Sequence, residues 1–364
     1  MISISKTQLG KKEIDAVVKV LKSGNIREGV VCHNFEEAFA KKVGARYATT
    51  MANGTVALHA SFLNLIKPGD EVIVPSMTFF ATASMICWAG GKPVFCDIDP
   101  RTFCIDIRDL KQKITYKTKA IVPVHLFGNS CDIDPIIKLS RKHGLKVVWD
   151  AAQAHFTRYK GNDVGSYGDA VCYSFYATKN MTTGEGGMVT SNNRNFIKKC
   201  ILLKHQGQAK KYYHTMLGIN YRMTDVEAAI GLVQLNRLEE FTDRRRKNAY
   251  KLIQRLKGIP FIITPYMPDY AHHAFHQFTI LLKSYPKKMT RERIISTLKA
   301  NGIQVGMHYP IPLHKQPIFK KIVGKLSLVN SEFVARRCIS LPVHPSLKNY
   351  EIDLIVQEIK NTLL

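Results

Sequence analysis

Short apolar runs alternate with helix-patterned segments through the first two thirds of the chain. Glu71–Pro75 (EVIVP), Lys119–His125 (KAIVPVH), Lys146–Asp150 (KVVWD), Ala170–Phe175 (AVCYSF) and Gly187–Ser191 (GMVTS) read as strands. Thr55–Ile66 and Asp134–His143 read as helices between them. Strands alternating with helices predict an α/β fold around a mostly parallel sheet, with ligands beyond the carboxyl ends of the strands. From Asp225 to about Arg255 the pattern is one long helix, its apolar stripe formed by Ala228, Ala229, Ile230, Leu232, Val233, Leu235 and Leu238. After Gly258-Ile259-Pro260 shorter elements follow, ending in an amphipathic helix at Tyr350–Leu363. This texture predicts a large domain over residues 1–245 and a smaller one over 246–364.

The uncharged run Val72–Gly91 is long enough to cross a membrane. Its Pro75, paired glycines and several hydroxyl residues favour a buried strand followed by a buried helix, so no membrane insertion is expected. The N-terminus lacks the apolar segment of a secretory signal. Eight scattered cysteines, with no zinc-like spacing, suggest reduced thiols in a cytoplasmic protein and no metal site.

The net charge is +25, from 53 basic and 28 acidic residues. The basic residues are spread along the chain, and the clusters Arg244–Lys247, Lys287-Lys288 and Lys320-Lys321 read as exposed faces or turns. No zinc finger, helix-turn-helix or aromatic RNA-binding signature accompanies them, so a nucleic-acid partner is not expected. A basic surface would steer an anionic substrate equally well.

Three motifs carry candidate chemistry. Asn53-Gly54-Thr55 opens a helix, where small residues let backbone amides reach an anion; it also reads as an ordinary turn and N-cap. Asp150 ends an apolar strand and is followed by Ala151-Ala152-Gln153. A buried carboxylate there needs a cationic or donor partner, and it reads equally as a helix cap. In Tyr173-Ser174-Phe175-Tyr176-Ala177-Thr178-Lys179 a strand ends at a hydroxyl and a lone lysine follows, before the glycine-rich turn Thr183-Gly184-Glu185-Gly186-Gly187. Ser174 can bind phosphate, and Lys179 can form a Schiff base with an aldehyde.

In this order and spacing the motifs resemble the DegT/DnrJ/EryC1/StrS family of sugar aminotransferases. The resemblance runs nearly end to end, through Ser23-Gly24, Phe35-Glu36, NGTVALHA (53–60), PGDEVIVPSMTFFATA (68–83), KPVFCDID (92–99), TKAIVPVHLFG (118–128), DAAQAH (150–155), SFYATKNMTTGEGGMV (174–189), GINYRMTDVEAAIGLVQL (218–235), HYP (308–310) and SLP (340–342). It implies a pyridoxal-phosphate (PLP) transferase of fold type I: a large domain with a mostly parallel mixed sheet flanked by helices, plus a smaller C-terminal α+β domain. It implies an amine passing from L-glutamate, through pyridoxamine phosphate, to a nucleotide-linked keto sugar in glycan biosynthesis.

Residue by residue, the resemblance implies that Lys179 bears the cofactor and moves the proton between carbon centres. Asp150 would pair with the pyridine nitrogen, Gln153 lie near the phenolic oxygen, and Phe79 stack on the ring. Gly54, Thr55 and Ser174 would hold the phosphate. Asn220 would reach the phosphate in a neighbouring subunit, making a homodimer with shared sites. His155, Arg222, His308 and Tyr309 are candidates for the substrate, although His155 reads at least as well as packing and Arg222 as a subunit salt bridge. The segment TTGEGG resembles members that aminate carbon 4 of the sugar, amination at carbon 3 being the alternative. Some relatives are sugar dehydratases in which the lysine is replaced, often by His; Lys179 argues against that reading. Intact Asp150, Ser174 and Lys179 argue against a non-enzymatic regulator. Trp149, where the family usually has Glu, and Asn25, where a bulky residue often follows Ser-Gly, depart from the common pattern.

Overall fold

The computed structural model describes residues 1–285 and 289–364, which leaves the Lys287-Lys288 cluster outside the described residues. At its centre lies a sheet of seven strands: β1 (Tyr47–Met51), β2 (Glu71–Pro75), β3 (Lys92–Cys96), β4 (Thr118–Ile121), β5 (Lys146–Asp150), β6 (Ala170–Ser174) and β7 (Gly187–Ser191). Their spatial order is β1-β7-β6-β5-β4-β2-β3. From β3 to β6 every pairing is parallel, while β7 is antiparallel to both β6 and β1. This is the mostly parallel mixed sheet that the pattern implies. Strands covered on both faces read as near-continuous apolar runs, which is why β2 and β5 are legible. Val72, Ile73, Val74, Val147, Val148 and Trp149 are all buried.

The run Val72–Gly91 resolves into β2 followed by the helix Phe80–Trp88. No helix among the described residues is long and apolar enough to cross a membrane. β4 is shorter than its apolar run because Pro123 has no amide to donate; it accepts from Asp150 N instead (3.0 Å).

The helix Asp225–Leu256 starts at a capping box, Thr224 Oγ1 accepting from Glu227 N while Glu227 accepts from Thr224 N. Ala228, Leu235 and Leu238 pack into the core of the seven-stranded sheet. Ala249, Leu252 and Leu256, further along the same helix, pack into a second core. That core lies on an antiparallel sheet of Ile262–Ile263, Phe278–Leu282 and Cys338–Leu341 and is covered by the final helix, Asn349–Leu363. The 245/246 boundary expected from the sequence falls inside the long helix. Arg244–Lys247 is not a uniformly exposed face: Arg245 is buried, its guanidinium donating to the carbonyls of Phe275 and His276 (3.4 Å each). The helix is covered there by the second core, and the long side chain spans to backbone oxygens rather than to solvent.

Candidate active site

The parallel strands deliver their carboxyl ends to one place. β5 ends at Asp150, which is buried. Its Oδ2 accepts from Thr82 Oγ1 (2.7 Å) and its Oδ1 from Ala152 N (3.0 Å). Thr82 is held in turn by Thr78 (3.0 Å between hydroxyls). Burial raises the pKa of Asp150, while Thr82, Ala152 and the nearby Lys179 pull the other way. Two hydrogen bonds leave lone pairs free on the carboxylate, so the site favours a cation or N–H donor against it.

β6 ends at Ser174, and the turn beyond it, closed by Lys179 N donating to Tyr176 O (2.9 Å), carries Lys179. Burial lowers the lysine to about 8, with Asp150 opposing that shift. Its Nζ makes no hydrogen bond or ion pair among the described residues. A desolvated amine with this pKa is partly neutral near pH 7.5 and available as a nucleophile.

The third component is the start of the helix Gly54–Leu65. Asn53 caps it, accepting from Val56 N (3.0 Å). Gly54 is required by space, since a Cβ there would stand 2.7 Å from the Ser174 Cβ; a Cβ on Gly187, at the start of β7, would meet Asn53 O at 2.4 Å. These two close approaches bring the helix N-terminus against the end of β6. The amides of Gly54 and Thr55 have no acceptor among the described residues. Two free amides on a helix N-terminus, with the Ser174 hydroxyl beside them, suit a phosphate.

Gln153 Oε1 accepts from Phe127 N (2.8 Å), which directs its Nε2 to Tyr309 OH (3.0 Å). Burial raises the Tyr309 phenol, so it keeps its proton. Phe79 is exposed and lies 6.0 Å from the Tyr309 ring. Gly54, Thr55, Phe79, Asp150, Gln153, Ser174, Lys179, His308 and Tyr309 thus line one cavity of about 460 Å³, a size suited to a small-molecule site. The fit to PLP is chemical as well as spatial: an amine for the aldehyde, a buried carboxylate for a protonated ring nitrogen, and an anion cradle for the phosphate. Among the described residues no cluster of His, Cys, Asp or Glu is suited to a metal ion.

Three expected residues are not brought to this cavity. His155 is buried and does not line it, packing 5.5 Å from the Tyr173 ring and 5.6 Å from Phe175. Burial lowers it to about 3, so it sits there as a neutral packed ring. Asn220 is exposed, its Oδ1 facing Arg222 N (3.5 Å), and Arg222 is partly exposed. Trp149 stacks on His125 (4.9 Å between rings) inside the core, and Asn25 is exposed on its turn. Conversely, Thr78, Tyr176, Thr178, Glu185, His276 and Gln277 line the cavity without having been singled out, and Thr82 braces Asp150 from behind. Thr78 and Thr82 share a helix-type spacing around Phe79, a signal that could have found them. His276 and Gln277 enter from the segment just before the strand Phe278–Leu282, and nothing local in AFHQF marks them.

Comparison with known proteins agrees with this arrangement. GDP-perosamine synthase from Caulobacter vibrioides is 37% identical over 368 residues, covering 100% of this chain and 98% of that protein. The crystal structure of Streptomyces venezuelae DesV in complex with a ketimine intermediate superposes with a TM-score of 0.92 at 32% identity, covering 96% of this chain and 93% of DesV. Streptococcus pneumoniae Spr1654 in its PLP form superposes with a TM-score of 0.93 at 29% identity, covering 99% of this chain and 98% of that one. Residues 7–360 match the model of the DegT/DnrJ/EryC1/StrS aminotransferase family, and the chain belongs to that family.

Proposed function

We propose that this chain transfers the amino group of L-glutamate to a nucleotide-linked keto sugar, at carbon 4 of a 4-keto-6-deoxyhexose, with PLP carried by Lys179. The observation that bears most weight is the convergence of the Lys179 amine, the buried Asp150 carboxylate and the Gly54–Thr55–Ser174 anion cradle on one cavity. The cofactor, when bound, supplies an electron sink for the carbanion formed at the reacting carbon. Asp150, braced by Thr82 and Ala152, would keep the ring nitrogen protonated. Ser174, Gly54 and Thr55 would hold the phosphate. Gln153, oriented by Phe127 N–H, would lie near the phenolic oxygen, and Phe79 would stack on the ring. Lys179 moves the proton between carbon centres in both halves of the reaction. His308 and Tyr309 lie on the wall open to substrate. The similarity to GDP-perosamine synthase supports a nucleotide-linked sugar as substrate, and the TTGEGG segment supports amination at carbon 4.

The test is a panel of nucleotide 4-keto and 3-keto sugars incubated with glutamate, the products being read by mass spectrometry and NMR. A product aminated at carbon 4 is expected. Amination at carbon 3 would overturn the regiochemistry alone, and no aminated sugar from any donor nucleotide would overturn the sugar reading.

Asn220 and Arg222 belong, in this reading, to the site of a second copy. The segment before them carries the exposed Tyr212, Tyr213 and Leu217, an apolar projection that suits burial against a partner. Mixing Asn220→Ala subunits with Lys179→Ala subunits is expected to restore one working site per hybrid dimer. Verified hybrids with no recovered activity would remove Asn220 from the partner's site.

A further inference from the structure

His276 lies on the cavity wall with Lys179, yet nothing in the reading above uses it. Its orientation follows from a chain of hydrogen bonds that begins at the backbone. Asn180, which follows Lys179, is buried, and its Nδ2 donates to Ala274 O (3.1 Å). An amide whose nitrogen is so engaged presents its Oδ1 as acceptor on the other side. That oxygen faces His276 Nδ1 (3.3 Å). Nδ1 must then carry the hydrogen, and in a neutral imidazole Nε2 is left as a bare lone pair. Nε2 has no partner among the described residues. Drift of the ring is restricted, because the carbonyl of His276 accepts from the buried Arg245 (3.4 Å) and a Cβ on Gly128 would already stand 2.9 Å from His276 N.

The groups facing His276 are Lys179, Arg245, His155 and His308, with no carboxylate among them. Burial, with the Lys179 and Arg245 cations, holds the ring well below its usual pKa, so it stays neutral over the working range. The cavity wall therefore carries an acceptor that does not convert to a donor.

The two substrates of the proposed reaction differ in what they offer such a group. Glutamate carries carboxylates, which are acceptors only, and one amine, which is its reacting group. A keto sugar carries hydroxyl donors around its carbonyl. Resting on the sugar aminotransferase reading, we propose that His276 Nε2 is a specificity contact for the second substrate, accepting a hydrogen bond from a ring hydroxyl of the keto sugar.

The experiment is a cycle of one enzyme and one substrate change. Wild type and His276→Phe are assayed with the nucleotide keto sugar and with analogues that each lack one hydroxyl. Loss of the contacted hydroxyl is expected to lower kcat/KM about tenfold in wild type. The same loss should have almost no effect in His276→Phe, so that the two changes are not additive. In parallel, ¹⁵N NMR of histidine-labelled wild type should show His276 neutral with the proton on Nδ1 from pH 6 to 9, a reading that needs no variant. Additive losses for every analogue in an active enzyme, or a protonated or Nε2–H ring, would overturn the assignment alone. Wild-type enzyme that releases 2-oxoglutarate from glutamate but aminates no sugar would overturn the functional reading and the assignment with it.

Discussion

Lys179→Ala abolishes turnover, by roughly 10³-fold or more, and removes the near-visible absorbance of lysine-bound cofactor. The size follows from two roles falling on one amine: attachment of PLP, and proton transfer in each half-reaction, the second alone worth roughly 10² to 10⁴-fold. Among the described residues of the chain no other lysine or arginine lines the cavity, so no other lysine stands there to take its place. The depressed pKa adds a pH signature. Only the neutral amine attacks the aldehyde, so loading of apoprotein with PLP should quicken as pH rises through about 8 and level off above it. The variant should still bind PLP through the phosphate cradle, reversibly and removable by dialysis. A variant of near wild-type activity would mean that the amine at the reacting carbon is not Lys179.

Asp150→Asn has the second largest expected effect. The amide matches the carboxylate in shape: its oxygen can still accept from Ala152 N while its nitrogen donates to the Thr82 hydroxyl, so the fold should persist. It brings no negative charge, and a ring nitrogen no longer held protonated is a poorer electron sink. A loss of roughly 100-fold or more, about 2.7 kcal/mol on the barrier, is expected. Thermal unfolding should show the variant no less stable than wild type, because a desolvated carboxylate is replaced by a neutral group. Activity within about threefold of wild type would remove Asp150 from this role.

How far the chain could be read without coordinates depended on where each signal resided. The buried interior strands announced themselves: Glu71–Pro75, Lys146–Asp150 and Gly187–Ser191 have the bounds expected. Tyr47–Met51 and Lys92–Cys96 were not read as strands. The first is an edge strand rich in Thr, and the second begins Lys-Pro, so neither presents a plain apolar run. Gly54, Asp150, Ser174 and Lys179 were legible because each sits at a strand end or helix start, where local sequence carries the signal. His276 and Gln277 were not, because they reach the cavity only once separate elements pack together. His155 shows the converse. It stands in the DAAQAH motif two residues from Gln153, yet the chain turns at 152–153 and again at 155–156, with Ala154 N donating to Ala151 O (2.8 Å), and leaves its ring in the core beside Tyr173 and Phe175. The spread of positive charge misled at Arg245, where burial against backbone carbonyls took the place of solvent.

The central claim is that a single lysine in a single cavity serves two substrates in turn, and a single half-reaction tests it most directly. Purified PLP-loaded protein is mixed with L-glutamate in the absence of any sugar, and 2-oxoglutarate is counted against active sites. About one equivalent should be released per site, with conversion of the bound cofactor to its pyridoxamine form and no release from Lys179→Ala. Absence of 2-oxoglutarate until a nucleotide sugar is added would contradict the claim.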